Sequence, residues 1–257
     1  MTAIPLEQEA AHYPDSDGEP MAETELHLQE MVYAWEALSE HFQGDPDIFV
    51  GANMFLYYRE GDPFGVVAPD AFVVKGVPKL PGGRERRTYL LWNEGQAPCF
   101  VLETTSASTH EKDVKKKRIY EQLGVAEYFQ FDPFGEYLRP PLQGYRLVNG
   151  RYQRLQPGPD GSLLSQATGV LFRPDGRRLR LADARTGAPL LRREEVEAKA
   201  AVEAMARREA EERADVAEER ADAEAMARRE AEERAAAAEE RARTLEEKLA
   251  RLRSERD

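Results

Sequence analysis

The sequence predicts a mixed α/β domain, a sheet flanked by helices, followed by a long C-terminal helix. Three stretches carry that prediction. Residues 99–133 read as strand, helix, strand; residues 48–77 are rich in aromatic and β-branched residues; and beyond Pro189 the chain has neither proline nor glycine. A strand, helix and strand within about 35 residues implies a right-handed parallel crossover. Strands as close in sequence as those of residues 48–77 pair antiparallel instead, so the sheet is expected to be mixed.

In chain order, residues 1–20 hold Pro5, Pro14 and Pro20 with Asp15, Ser16, Asp17 and Gly18, a composition expected of an N-terminal arm. From Glu23 to Phe42, the apolar positions Leu26, Met31, Val32, Trp35, Leu38 and Phe42 fall at helical spacing, with Thr24 as cap. Ile48 to Arg59 reads as a strand with an irregularity at Gly51. A second strand is expected to begin at or just after Asp70, because Pro69 lacks the N–H that a ladder needs. Residues 78–88 form a basic loop containing Arg84, Arg86 and Arg87.

Residues 99–103 are an apolar run closed by Glu103, the pattern of a strand covered on both faces. A hydroxyl-rich turn over 104–109 leads into a helix from His110 to Leu123, where Val114, Ile119, Tyr120 and Leu123 make an incomplete apolar stripe and Gly124 ends it. Glu127 to Asp132 reads as a strand stopped by Pro133. Asn149-Gly150 marks a hairpin, and strands around 169–172 and 178–181 complete the domain. The boundaries read from the sequence are an arm over 1–20, a domain over 21–190 and a helical tail over 191–257.

In the tail, EAMARREAEER occurs at 203–213 and again at 224–234, an offset of three heptads. Leu245, Leu249 and Leu252 sit on a seam otherwise occupied by alanines and interrupted by Glu203, Arg207, Glu224 and Arg228. Alanine buries little area, so two readings stand: a coiled coil that self-associates, making the chain a homo-oligomer, and a solvated single helix held by Glu–Arg pairs.

Net charge is −12, shared equally between residues 1–192 and 193–257. That excludes a protein that coats duplex DNA by phosphate neutralisation alone. One cysteine, Cys99, rules out a disulfide framework, and no apolar run approaches the roughly 20 residues of a membrane span. A cytoplasmic protein with no membrane partner is the expectation.

The candidate chemistry lies with Asp70 and Glu103, at the ends of neighbouring strands, and with the lysines of the following helix. Two carboxylates can hold a hard divalent cation that keeps waters and a substrate phosphate, and a nearby ammonium can orient a nucleophile or stabilise developing charge. The same residue types also serve as turn and solvated surface groups.

Pro69-Asp70 followed by an apolar strand, VLETTSAST at 101–109, Asp113 with lysines after it, Tyr120 and GVAEYFQFDP at 124–133 together resemble the Uma-two family of restriction-endonuclease-like proteins, within the PD-(D/E)XK nuclease superfamily. The resemblance covers about residues 17–190. It implies a restriction-endonuclease-like fold, hydrolysis of nucleic acid, DNA first, and Mg²⁺ or Mn²⁺ held by Asp70 and Glu103. In the superfamily's basic pattern a lysine stands two residues after the second acid, where this chain has Thr105. In this family the lysine moves to the following helix, which points to Lys117 counting from Asp113, or to Lys116 counting back one turn from Tyr120. Asp17-Gly18-Glu19 and His27 are similar to the family's lead-in acid and first-helix histidine.

Overall fold

The computed structural model describes residues 13–16, 24–80, 85–105 and 110–254. The chain divides into two units, residues 1–193 and 194–257. The first runs α1 (Glu25–His41), β1 (Ile48–Gly51), β2 (Leu56–Tyr57), β3 (Val66–Val67), β4 (Ala71–Lys75), β5 (Tyr89–Leu90), α2 (Leu91–Glu94), β6 (Phe100–Thr104), α3 (His110–Leu123) and β7 (Glu127–Phe131). It continues through β8 (Leu142–Val148), β9 (Arg151–Arg154), β10 (Leu163–Ser165), β11 (Val170–Asp175), β12 (Arg178–Asp183) and β13 (Pro189–Leu190).

The central sheet has the order β1-β4-β6-β7-β8-β9. Only β6 and β7 pair in parallel, joined by α3; every other neighbour in this sheet is antiparallel. The two faces carry separate apolar layers. On one, Tyr33, Ala34, Ala37 and Leu38 of α1 pack against Ala71, Val73, Phe100, Leu102 and Phe129. On the other, Tyr120 of α3 and Val125 pack against Phe72, Val74, Val101 and Tyr128. Alternate residues of β4 and β6 thus feed opposite layers, as a strand buried on both faces requires.

α1 is capped by Thr24, whose side chain accepts from the His27 N–H at 3.2 Å. Its inward face differs from the expected one. Val32 and Trp35 are exposed, and the buried stripe runs through Met31, Ala34 and Leu38. The small residues Ala34 and Ala37, weak hydrophobic signals by themselves, let the helix lie close against the sheet.

The expected strand over 48–59 is two. β1 ends at Gly51, where a Cβ would stand 2.4 Å from the Phe72 ring, and Asn53 turns the chain with a φ of 43°. The chain then enters a small sheet of order β3-β2-β5. Residues 13–16, within the segment read as an arm, lie against this sheet: Tyr13 meets the rings of Tyr57 and Trp92, and the Tyr57 hydroxyl donates to the Pro14 carbonyl at 2.7 Å.

A further sheet, β10-β11-β12-β13, is tied to α1 by buried charge. Glu30, 1% exposed, accepts from the Leu179 N–H at 2.7 Å and from Arg192 at 2.9 and 3.0 Å, with Arg178 at 3.3 Å. Arg192 also donates to the Leu179 carbonyl at 2.8 Å and covers the Tyr33 ring.

The second unit belongs to a single helix, α4 (Arg193–Ser254). The repeat gives the same pairs twice: Arg207–Glu211 and Arg228–Glu232, each 2.9 Å, and Arg213–Glu209 and Arg234–Glu230 at 3.5 and 3.2 Å. Such exposed i,i+4 pairs contribute about 0.3–0.5 kcal/mol apiece. Among the described residues no helix is long and apolar enough to cross a membrane.

Removing the Glu30 carboxylate leaves Arg192 buried without its anion. Glu30→Ala is expected to cost about 3–5 kcal/mol of stability, measured by urea unfolding. An unchanged midpoint would mean that the cluster holds nothing together.

Candidate active site

Antiparallel pairing of β4 with β6 aligns Ala71 with Leu102, so the next position sets Asp70 opposite Glu103. Residues opposite each other in a sheet share a face. Asp70 sits just before β4, where the ladder has run out, and its carboxylate takes the next backbone donor, the Thr104 N–H, at 2.6 Å. Nε2 of His27, from α1, stands 3.1 Å from the same Asp70 oxygen.

Glu103 is 1% exposed. Its Oε1 accepts from the Tyr120 hydroxyl at 2.6 Å and its Oε2 from Lys116 Nζ at 2.8 Å. Lys116 also donates to the Ala68 carbonyl at 2.9 Å. The two helices on opposite faces of the sheet therefore reach one acid each: α1 attends Asp70 and α3 attends Glu103.

The inward face of α3 differs from the apolar stripe expected of it. Val114 is exposed, while Asp113 and Tyr120 are buried and Lys116 lies between them at helical spacing. This half of the helix gives up apolar contact to meet Glu103. The sequence left Lys116 and Lys117 as alternatives. Lys116 contacts Glu103, whereas Lys117 has its ammonium 3.1 Å from the centre of the Tyr145 ring on β8. Glu19, read as an accessory acid, lies outside the described residues.

Burial dominates the electrostatics. It pushes the Glu103 carboxyl up to about 8; Lys116 opposes this, and Asp70 and Asp113 add to it. Burial by itself would lower Lys116, but Glu103, Asp70 and Asp113 hold its ammonium above the ordinary lysine value. Burial, then the charge of Glu103, keeps the Tyr120 hydroxyl protonated and able to donate.

The donor set suits a hard cation: two carboxylates from facing positions, all oxygen. Thr104 Oγ1 and Thr105 Oγ1, buried and directly after Glu103, have no hydrogen-bond partner among the described residues, which leaves polar atoms for water at this end of the sheet. Among the described residues no group of three or more His, Cys, Asp or Glu side chains is arranged to hold a metal ion, so the remaining ligands of a cation here would be waters and substrate.

Gln130 was not anticipated. It pairs in register with Glu103, and Gln143 pairs with Gln130, so Asp70, Glu103, Gln130 and Gln143 form one polar row across four strands on the α3 face. The signal in the sequence was a glutamine inside the otherwise apolar EYFQF run, at the position equivalent to Glu103 in FVLET.

A mixed sheet covered by helices on both faces, with an acid pair where two adjacent strands meet, is a restriction-endonuclease-like α/β domain. The family model described as "Uma2: Putative restriction endonuclease" matches residues 2–179, and the chain belongs to that family. Among solved structures it is similar to one described as "a putative nuclease belonging to DUF820 from Anabaena variabilis ATCC 29413", with 14% identity over 58% of this chain and 76% of that one and a TM-score of 0.43. No curated protein matches the chain.

The raised Glu103 value has a definite sign for stability. Folded protein keeps a proton that the unfolded chain releases above the ordinary 4.5, so this group's contribution is full below that pH and is lost as pH rises towards about 8. Relative to Glu103→Gln, wild type should lose stability steadily as pH rises across that window, read from urea midpoints. Parallel curves for the two proteins would rule the shift out.

Proposed function

We propose that this chain is a divalent-metal-dependent endonuclease that hydrolyses phosphodiester bonds in DNA, with Mg²⁺ or Mn²⁺ held by Asp70 and Glu103. The observation that carries the reading is the acid pair itself, two carboxylates at facing register positions with a lysine donating to one of them at 2.8 Å. Membership of a family described as "Putative restriction endonuclease" supports nucleic acid as the substrate. When bound, the cation would polarise the phosphoryl group and lower the pKa of a coordinated water.

The protein's own part is orientation. Tyr120 and Lys116 each bind a different oxygen of Glu103, which fixes the plane of that carboxylate. The Thr104 N–H and His27 both meet one oxygen of Asp70 and anchor it. An ammonium has three N–H donors, and Lys116 commits two of them to Glu103 and Ala68. The third has no partner among the described residues and could meet an attacking water or a phosphoryl oxygen, where a fixed positive charge favours the transition state. Lys116 is therefore the lysine assigned to catalysis. With Thr105 at the superfamily's usual lysine position, the ammonium arrives from α3 instead of from β6.

Incubating the full-length chain with plasmid, single-stranded DNA and RNA in Mg²⁺ or Mn²⁺ tests this. Cleavage of DNA should fall by about 100-fold or more in Asp70→Ala, Glu103→Ala and Lys116→Ala. Cleavage that persists in the two acid variants, or none by wild type, would refute the assignment.

A second reading is carried by α4, which makes up about a quarter of the chain and repeats its charge pattern over three heptads. In it the nuclease fold is a scaffold with little catalysis, and α4 self-associates as a coiled coil. Sedimentation of the whole chain should give a multiple of the 29.1 kDa chain mass, and truncation after Arg193, which keeps the Glu30–Arg192 pair, should return the domain to monomer. A monomeric full-length chain excludes this reading.

A further inference from the structure

The polar row that starts at Asp70 leads to a pair of cations. Beyond Glu103 it continues through Gln130 to Gln143, which accepts from the Tyr145 hydroxyl at 2.9 Å and donates to the Arg139 and Pro140 carbonyls at 3.3 Å each. Tyr145 is flanked by two positive groups: Lys117 lies over its ring at 3.1 Å, and Arg154 is its register partner on β9.

Among the described residues neither cation pairs with a carboxylate. Arg154 donates to the Arg139 carbonyl at 3.1 Å and is exposed; Lys117 is half-buried. The acid on this side, Glu121, is engaged by the Tyr152 N–H at 2.6 Å and by Arg151 at 3.1 Å. Burial lowers Lys117, Glu121 works against this, and the neighbouring Arg154 lowers it further. Lys117 over the Tyr145 ring and Arg154 close enough to oppose its charge, neither paired with a carboxylate among the described residues, form a place where a phosphate relieves repulsion.

The termini of the strands set the direction. The C-terminal ends of β6, β7 and β9, the N-terminal end of β8 and Asp70 all lie along one edge of the sheet. From Glu103 to Tyr145 is two strand spacings across and two residues along β8, about 12 Å, which is the axial rise of about three to four nucleotides.

We propose that Lys117 and Arg154 form a backbone-phosphate subsite for the nucleic-acid strand, about three to four nucleotides from the bond presented to Asp70 and Glu103. The inference rests on the nuclease reading for its choice of ligand. It also gives Lys117 a binding role distinct from the catalytic one assigned to Lys116.

The test is binding of a fluorescein-labelled DNA duplex to the full-length chain in Ca²⁺, followed by anisotropy across a potassium chloride titration, with a gel to show that the duplex stays intact. The variants are Lys117→Gln with Arg154→Gln, and a control, Lys115→Gln with Arg118→Gln, which removes the same charge from exposed positions of α3. Thermal melts check that both fold, and Arg154→Gln by itself is a milder probe at an exposed position.

The first double variant should bind more weakly, with a slope of log affinity against log salt smaller by about 2; the control should keep the wild-type slope. Equal losses in both double variants, a wild-type slope in the first, or no binding by wild type would overturn the subsite. Cleavage in Mn²⁺ separates the two readings. Cleavage by wild type with an unchanged slope in the first variant sinks the subsite alone, whereas the expected slope loss in a chain that never cleaves sinks the nuclease reading and keeps the subsite.

Discussion

Placing the carboxylate of Glu103 at the end of a strand covered on both faces is the constraint around which this domain is arranged. A buried carboxylate costs several kcal/mol unless its oxygens are met by donors. Here each oxygen has one, the Tyr120 hydroxyl on Oε1 and the Lys116 ammonium on Oε2. Both donors come from α3, so that helix must cross the sheet with Asp113, Lys116 and Tyr120 facing inwards. The right-handed crossover from β6 to β7 delivers it to that face. The Ala68 carbonyl, a third partner of the arrangement, is fixed by the chain entering β4.

The second acid is reached by a different route, and this explains why two helices are needed. Asp70 lies where the β4 ladder ends, so its carboxylate can substitute for a backbone acceptor and take the Thr104 N–H. His27 comes from α1, on the opposite side of the sheet, near a capped helix start whose position is set by the Thr24 cap and by Glu30 below it. The Glu30–Arg192 pair bears on the site in this indirect way. It fixes the first turns of α1 against β12, and so the distance from His27 to Asp70. Structural charge and site charge share one helix, a turn apart.

The β6-α3-β7 unit was legible in the sequence because its signals agree with one another. FVLET and EYFQF are mainly apolar segments, the intervening helix has the right length, and Gly124 ends it with a φ of 79°. Asp70 and Glu103 were legible as strand-end acids. The break between β1 and β2 was not, since Ile48 to Arg59 has uniform strand propensity and the Phe72 ring that forbids a side chain at Gly51 lies twenty-one residues away in sequence. Nor were β2, β3 and β5, each two residues long. Lys116 and Lys117 are about 100° apart on a helix, and counting from Asp113 or from Tyr120 favours one or the other. What separates them is tertiary: one faces Glu103, the other the Tyr145 ring beyond it.

Charge distribution links these local arrangements to the behaviour of the whole chain. With a net charge of −12 the protein offers a polyanion no general attraction, so encounter cannot depend on a basic surface. The polar row is asymmetric in a way that suits this. At one end Asp70 and Asp113 outnumber Lys116 even while Glu103 keeps its proton, and a phosphate approaching without a cation meets repulsion. At the other, Lys117 and Arg154 have no carboxylate partner among the described residues. On the proposed nuclease reading, a strand laid along the row would be held first at the Tyr145 end by direct charge, while its approach to the acid end would depend on a divalent ion to reverse the sign there. On this reading, Lys117 lies outside the acid site because it and Lys116 meet different phosphates of the same strand.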